Sequence, residues 1–80
     1  MKATQQEVRV DVQQGQPVRV RWGERQYPVS QVLDAWRYGG RWWLGEPPRN
    51  CFLVRCGSLT AELHQETVPL GKWFIARIQD

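Results

Sequence analysis

Histidine and cysteine are scarce in this sequence, which has one histidine and two cysteines. It also lacks a nucleophile elbow, a glycine-rich phosphate-binding loop and a pair of Cys-x-x-Cys motifs. Cys51 and His64 together fall short of the three or four ligands that zinc requires. These absences argue against catalysis, and we expect no metal ion and no cofactor.

Long apolar runs are absent as well. Residues 1–16 have no apolar core of the kind that a signal peptide carries, and no stretch approaches the ~20 apolar residues of a membrane span. We therefore expect a cytoplasmic protein that does not contact a membrane. Cys51 and Cys56 lie about 16 Å apart if they share one strand, which is too far for a disulfide. Both are expected as free thiols.

The charge is mildly basic, with eleven basic and eight acidic residues, a net charge of +3 and a pI near 9.3. The whole excess lies within residues 1–41. Dense runs of lysine and arginine, which are typical of nucleic-acid-binding tails, are missing. This balance permits an anionic partner without predicting one.

Eighty residues predict one domain, residues 1–80, with a small core. Five tryptophans, two tyrosines and two phenylalanines can fill such a core, since each buried aromatic side chain removes about 150–250 Å² from water. Tryptophan richness therefore has a structural explanation before a functional one. Trp22, Trp36, Trp43 and Trp73 are assigned to the core.

Alternating apolar and polar residues predict strands over residues 4–12 and 18–22. Folding the second strand back on the first places Val12 against Val18, Val10 against Val20 and Val8 against Trp22. A following strand brings Tyr27 beside Val20. The two apolar faces then coincide. A hairpin of this register is expected.

The outer face of the same hairpin carries charge. Asp11 meets Arg19 favourably, whereas Arg9 meets Arg21, and like charges directly opposite each other cost roughly a few tenths of a kcal/mol. An anion could relieve this repulsion.

The segment 29–36 fits a strand or a helical stripe. A strand with a bulge near Ser30 and Gln31 is favoured, because the chain then enters a second hairpin over residues 36–44. Gly39 and Gly40 suit the two-residue turn of such a hairpin, since both accept positive φ.

In that hairpin Trp36 faces Trp43, and Arg37 faces Trp42 in a cation–π contact. Trp36 and Trp43 point inward together with Tyr38. Trp42 projects from the opposite face.

The clearest pairing joins residues 51–56 to residues 59–64 across a Gly-Ser turn. Phe52 faces Leu63 on an apolar side, and Cys51 faces His64 on the other. A last strand, residues 72–78, is predicted with Phe74, Ala76 and Ile78 on one face. The fold class is all-β: a small antiparallel curled sheet, a partly open barrel or two-layer sandwich, of about six or seven short strands.

Two hypotheses for function remain after catalysis is set aside. Cys51 opposite His64 is read as a half-exposed cross-strand pair without a role, because no third group that would orient the imidazole is evident. A protein partner is the first expectation, because a tryptophan flanked by arginine is typical of interface hot spots. Single-stranded nucleic acid is the alternative, using a basic sheet face with stacking aromatics. The candidate contact residues are Arg9, Arg19, Arg21, Arg37 and Trp42.

The chain resembles a bacterial domain of unknown function, which occurs alone or, in a related form, at the carboxyl end of ImuB-like Y-family polymerase relatives. The resemblance spans about residues 17–80. It rests on Val32-Leu33-Asp34, Trp36, Gly40-Arg41-Trp42-Trp43, Gly45-Glu46-Pro47, Arg49, Phe52-Leu53-Val54, Leu63, Gly71-Lys72-Trp73-Phe74 and Asp80.

The resemblance implies an accessory domain associated with DNA damage tolerance and with proteins of a repair complex, without an assigned activity. This chain departs from the family pattern at Asn50-Cys51 and at His64-Gln65-Glu66. A polar site shared with the family at those positions is therefore in doubt. A shared fold would not fix the function.

Overall fold

The computed structural model describes the backbone of residues 2–40, 42–67 and 70–79, and the side chains of residues 6–40, 43–67 and 71–79. Seven strands and one 3-10 helix make up most of these ranges. They are β1 (Lys2–Gln13), β2 (Gln16–Trp22), β3 (Arg25–Pro28), β4 (Gln31–Tyr38), the 3-10 helix (Trp42–Leu44), β5 (Arg49–Cys56), β6 (Leu59–Thr67) and β7 (Leu70–Gln79).

The strands form one antiparallel sheet in the order β3-β2-β1-β7-β6-β5-β4. The sheet curls into a half-barrel, so the prediction of an all-β, curled sheet of six or seven strands is confirmed. Its concave side holds the core, which includes Val20, Val54, Leu63 and Ile75.

Strand β1 belongs to two parts of the sheet. Its residues up to Val8 pair with β7, and its residues from Arg9 onward pair with β2. The sheet changes direction where this exchange occurs. The predicted pairs of Arg9 with Arg21, Val10 with Val20 and Asp11 with Arg19 are confirmed. The other two predicted pairs are wrong: after a register shift Val12 pairs with Pro17 rather than Val18, and Val8 pairs with Trp73 of β7 rather than with Trp22.

A short link joins the two edge strands. The Val29 N–H donates to the Val18 carbonyl at 2.9 Å, and the Ser30 N–H donates to the Arg55 carbonyl at 2.8 Å. Residues between β3 and β4 thus bond first to β2 and then to β5. This link holds the two sides of the half-barrel together at one end.

The β5–β6 hairpin has the predicted register, with Phe52 opposite Leu63 and Cys51 opposite His64. Strand β7 differs from the prediction. A register shift lets Ile75 pair with Leu63 while Ile78 pairs with Ala61, and the extra residue between these pairs is Ala76. The bulge brings Ile75 and Ile78 to the core face together, so the face predicted from strict alternation was wrong.

Residues 31–38 form a strand, β4, and its irregularity lies at Leu33 rather than at Ser30 and Gln31. The predicted hairpin of residues 36–44 is wrong. Trp36 pairs with Cys51 and Tyr38 pairs with Arg49, so β4 and β5 flank a ten-residue loop, residues 39–48.

Gly40 explains why the chain takes this longer loop. Its φ is +73°, and a Cβ there would lie 2.8 Å from the carbonyl oxygens of Glu46 and Pro47. The glycine therefore permits close backbone contact within the loop, and a two-residue turn does not form.

The tryptophans divide between core and surface. Trp73 is 5% exposed and its ring centroid lies 5.6 Å from that of Phe52, while Trp22 packs half-buried against the core. Trp36 is 40% exposed and Trp43 is 63% exposed. Their assignment to the core was wrong, because it depended on the hairpin that does not form.

Candidate interaction surfaces

The arginines on β1 and β2 meet an acidic residue of their own chain. Arg21 donates from Nε and Nη2 to Asp11 Oδ2, at 3.2 and 3.0 Å, and Arg19 Nη1 lies 3.5 Å from the same oxygen. All three side chains are well exposed to solvent. Arg21 therefore has a counterion within its own chain, and an external anion is not needed to neutralise it.

A groove opens beside these arginines, where β1 and β7 separate. We call it the charged notch: the groove between β1 and β7 that is lined by residues 7–11 and 71–73, with Arg21 and Glu66 beside them. Its volume is about 650 Å³. Its lining carries three cations and three carboxylates: Arg9, Arg21, Lys72, Glu7, Asp11 and Glu66.

The strand edges that face each other across the charged notch are unpaired within the described ranges. Residues 9–13 pair with β2 alone, and residues 70–72 lie beside β6 alone. Sequence reasoning identified Arg9 but missed the notch, because its second wall comes from β7, some sixty residues later in the chain.

Arg37 and Trp42 do not share the predicted hairpin. Arg37 is exposed on β4 opposite Asn50, whose side-chain amide donates to Gln65 Oε1 at 3.3 Å. The Trp42 side chain and the whole of Arg41 lie outside the described part of the chain. The hairpin that would have brought Arg37 and Trp42 together in a cation–π contact does not form.

A second surface is apolar. We call it the aromatic edge: Trp36 and Tyr38 on β4, with Trp43 and Leu44 in the loop that follows. Trp36 and Tyr38 are two positions apart, so their side chains share the convex face of the sheet. Each of the four is at least 40% exposed. The sequence analysis identified Trp36, Tyr38 and Trp43 but predicted that they point into the core.

On edge strand β4, a side chain of the strand itself accepts one of the backbone N–H groups. The carboxylate of Asp34 accepts the Ala35 N–H through Oδ1 at 2.8 Å. A side chain that occupies a backbone donor on an edge strand disfavours pairing with another strand. The aromatic edge is therefore better suited to contacts through side chains than through the backbone.

Cys51 and His64 lie together on the convex face, where Cys51 is 1% exposed rather than half-exposed as predicted. A third group is present: His64 Nε2 lies 2.6 Å from Glu62 Oε2, and Arg49 Nη1 lies 3.4 Å from His64 Nδ1. A guanidinium only donates, so Nδ1 is the acceptor and Nε2 carries the hydrogen that Glu62 accepts. Both ring nitrogens are thus engaged.

The thiol beside them is not activated. Burial raises the pKa of Cys51 above its ordinary value, with the nearby Glu62 charge adding to the effect, although a backbone contact from Tyr38 and the Arg49 charge oppose it. Its Sγ lies 3.9 Å from the Arg49 carbonyl, to which it can donate only weakly. A protonated thiol next to an occupied imidazole is poorly arranged for nucleophilic attack.

Metal ions and membranes find no obvious site in the described ranges. No three His, Cys, Asp or Glu side chains there cluster closely enough to hold a metal ion. None of the residues described forms a helix long and apolar enough to cross a bilayer.

Comparison with protein-family models, curated proteins and solved structures gave no match to this chain.

Proposed function

We propose that this chain is a non-catalytic domain that binds another protein through the aromatic edge. The observation that carries the proposal is the exposure of Trp36, Tyr38, Trp43 and Leu44 between residues 36 and 44. Tryptophan and tyrosine are prominent among the residues that dominate binding energy at interfaces. In a domain with so small a core, large apolar side chains held in water favour an interaction surface.

A binding role agrees with the energetics of the patch. Burying apolar surface is favourable by about 25 cal/mol per Å², so a partner that covers two tryptophans gains substantially. Arg37 lies on the same strand between Trp36 and Tyr38 but points to the other side. It can supply a charged contact at the rim.

The Cys51 and His64 cluster supports the absence of catalysis. Its imidazole nitrogens are engaged by Arg49 and Glu62, and its thiol is buried with a raised pKa. These groups are better explained as polar packing on the convex face than as a nucleophile with its base.

The resemblance to the carboxyl-terminal domain of ImuB-like proteins suggests the kind of partner. We propose a protein of a DNA-damage-tolerance complex in the cytoplasm. Such a partner would place apolar side chains against Trp36 and Trp43.

Binding of the purified chain to a purified ImuB-like protein, measured by calorimetry, tests both parts of the proposal. We expect Trp43→Ala to weaken binding at least about thirtyfold, since truncation of a hot-spot tryptophan costs about 2 kcal/mol or more. Val18→Ala is the matched control, because Val18 is 39% exposed but lies on β2, outside the aromatic edge. Equal affinities of wild type and Trp43→Ala would contradict the role of the aromatic edge.

Quantitative affinity capture from native cells separates the surface from the partner. A protein that binds wild type and Val18→Ala but not Trp43→Ala supports the aromatic edge, whatever its identity. Should that protein have no part in DNA repair, the suggested complex is wrong and the binding surface stands. Failure to find any protein that depends on Trp36 or Trp43 would overturn the proposal.

Single-stranded nucleic acid is the second candidate. It is favoured by Arg9 and Lys72, which have no ion pair among the described residues and border one groove. It is disfavoured by Asp11, which already holds Arg19 and Arg21. Fluorescence titration with a single-stranded oligonucleotide decides: salt-sensitive binding that Arg9→Ala combined with Lys72→Ala weakens would establish this alternative.

A further inference from the structure

The strand register accounts for the separation of β1 and β7 at the charged notch. Val8 pairs with Trp73, and continuing that register by one residue would place Arg9 directly opposite Lys72. Two like charges at such a position repel each other. Gly71, with a φ of +123° and open space where a Cβ would lie, turns the β7 backbone at the next residue. The two strands separate at this point.

Two cations, Arg9 and Lys72, line the groove together with the carboxylates of Glu7 and Glu66. Neither Arg9 nor Lys72 makes an ion pair in the described part of the chain, and both are exposed. Arg21, which also lines the groove, is held by Asp11. A carboxylate supplied by a partner can pair with these cations without displacing an ion pair between described residues.

The backbone beside these cations is also available. Residues 9–13 of β1 pair with β2 on one side only, and residues 9–11 line the groove on the other side. No described side chain caps their N–H groups, in contrast to the cap that Asp34 provides on β4. An extended peptide can bind such an edge as an added strand, with affinity from the backbone and specificity from alternate side chains.

The two faces of β1 define what that peptide should carry. Val10 is half-buried and Val12 is 45% exposed, so one side of an added strand would meet apolar groups. The other side would meet Arg9 and, across the groove, Lys72. The volume of about 650 Å³ lies within the range of sites that bind small ligands and short peptides.

We propose that the charged notch binds an extended acidic segment of a partner protein. The segment adds to residues 9–13 of β1 as a strand, turns apolar side chains toward Val10 and Val12, and places a carboxylate between Arg9 and Lys72. This site is separate from the aromatic edge and does not depend on it.

The test is a titration of the isotope-labelled whole chain with a capped peptide in which valine and aspartate alternate, followed by amide NMR. We expect saturable shifts in residues 9–13 and 70–72, and slower hydrogen exchange of amides in residues 9–13. Arg9→Gln and Lys72→Gln should each weaken binding at least about fivefold, because charge-assisted hydrogen bonds are lost. Arg55→Gln, at an exposed arginine of β5, should leave the affinity unchanged.

Two further probes distinguish a strand from a simple anion. A peptide with asparagine in place of aspartate should bind at least about fivefold more weakly, and a peptide with alternate backbone nitrogens methylated should not bind. Equal binding of the methylated peptide would overturn the added strand. Equal binding of the asparagine peptide would overturn the carboxylate site. Shifts at Arg9 with inorganic phosphate or an oligonucleotide, but not with the acidic peptide, would show an anion site instead and overturn the proposal.

Discussion

The aromatic edge exposes apolar side chains of the sheet, whereas the charged notch exposes an unpaired strand edge of the same sheet. At the aromatic edge the side chains of Trp36 and Trp43 reach solvent, while Asp34 occupies a backbone donor. In the notch the backbone of residues 9–13 is open and the neighbouring side chains are charged. The first surface is suited to binding by apolar burial, and the second to hydrogen bonding and ion pairing.

This difference gives the two surfaces different responses to salt. Apolar burial at Trp36 and Trp43 is insensitive to moderate ionic strength, whereas contacts to Arg9 and Lys72 are screened over about 10 Å at 0.1 M salt. A single partner could therefore occupy both surfaces and show a salt dependence that belongs to the notch alone.

Replacing the tryptophan of each surface should give the largest contrast. Trp73 lines the notch from within the core and contacts Phe52, so Trp73→Ala should lower the free energy of unfolding by about 3–5 kcal/mol. Trp43→Ala should lower it by less than about 1 kcal/mol, because Trp43 is 63% exposed. Urea denaturation measures both. Similar losses for the two variants would mean that Trp43 is structural and would weaken its assignment to a binding surface.

The adjacent glycines before Trp43 offer a second contrast. Gly40→Ala forces a Cβ into a positive φ and against two carbonyl oxygens at 2.8 Å, and should cost about 2–4 kcal/mol. Gly39→Ala meets nothing within 4 Å and should change stability by less than about 1 kcal/mol. Thermal unfolding of the pair checks the expectation. Equal effects would contradict the close loop contact that presents Trp43 and Leu44.

These glycines also show where sequence reasoning succeeds and fails. The register of β5 and β6 was predictable, because a slip of one residue would expose Phe52 and Leu63. The role of Gly40 was not, because it depends on backbone contact with Glu46 and Pro47 inside the loop. A local turn signal was overridden by the pairing of β4 with β5.

The candidate surfaces follow the same division. Alternation along β1 placed Arg9 with Arg21 correctly, and it identified Asp11 as a neighbour of Arg19. The notch could not be predicted, because β1 and β7 come from opposite ends of the chain and carry no local signal of where they separate. The bulge at Ala76 was equally hidden, since a small residue fits either face.

The smallest expected effect is that of replacing Asp11, whose carboxylate pairs with the arginines of β2. Its ion pairs with Arg19 and Arg21 are exposed, so Asp11→Asn should cost about 0.5 kcal/mol or less in stability. The same change frees two guanidinium groups beside Arg9 and should strengthen binding of a single-stranded oligonucleotide severalfold at low salt. Asp34→Asn on β4 alters the net charge equally and is the matched control.

If both substitutions raise oligonucleotide affinity by the same factor, the effect is one of total charge and the arginine cluster has no special role. If only Asp11→Asn does so, this carboxylate acts as an internal counterion that keeps Arg19 and Arg21 from binding phosphates. Arg9 and Lys72 would then be the cations that the folded chain leaves for a partner, which is the condition on which the acidic-peptide site depends.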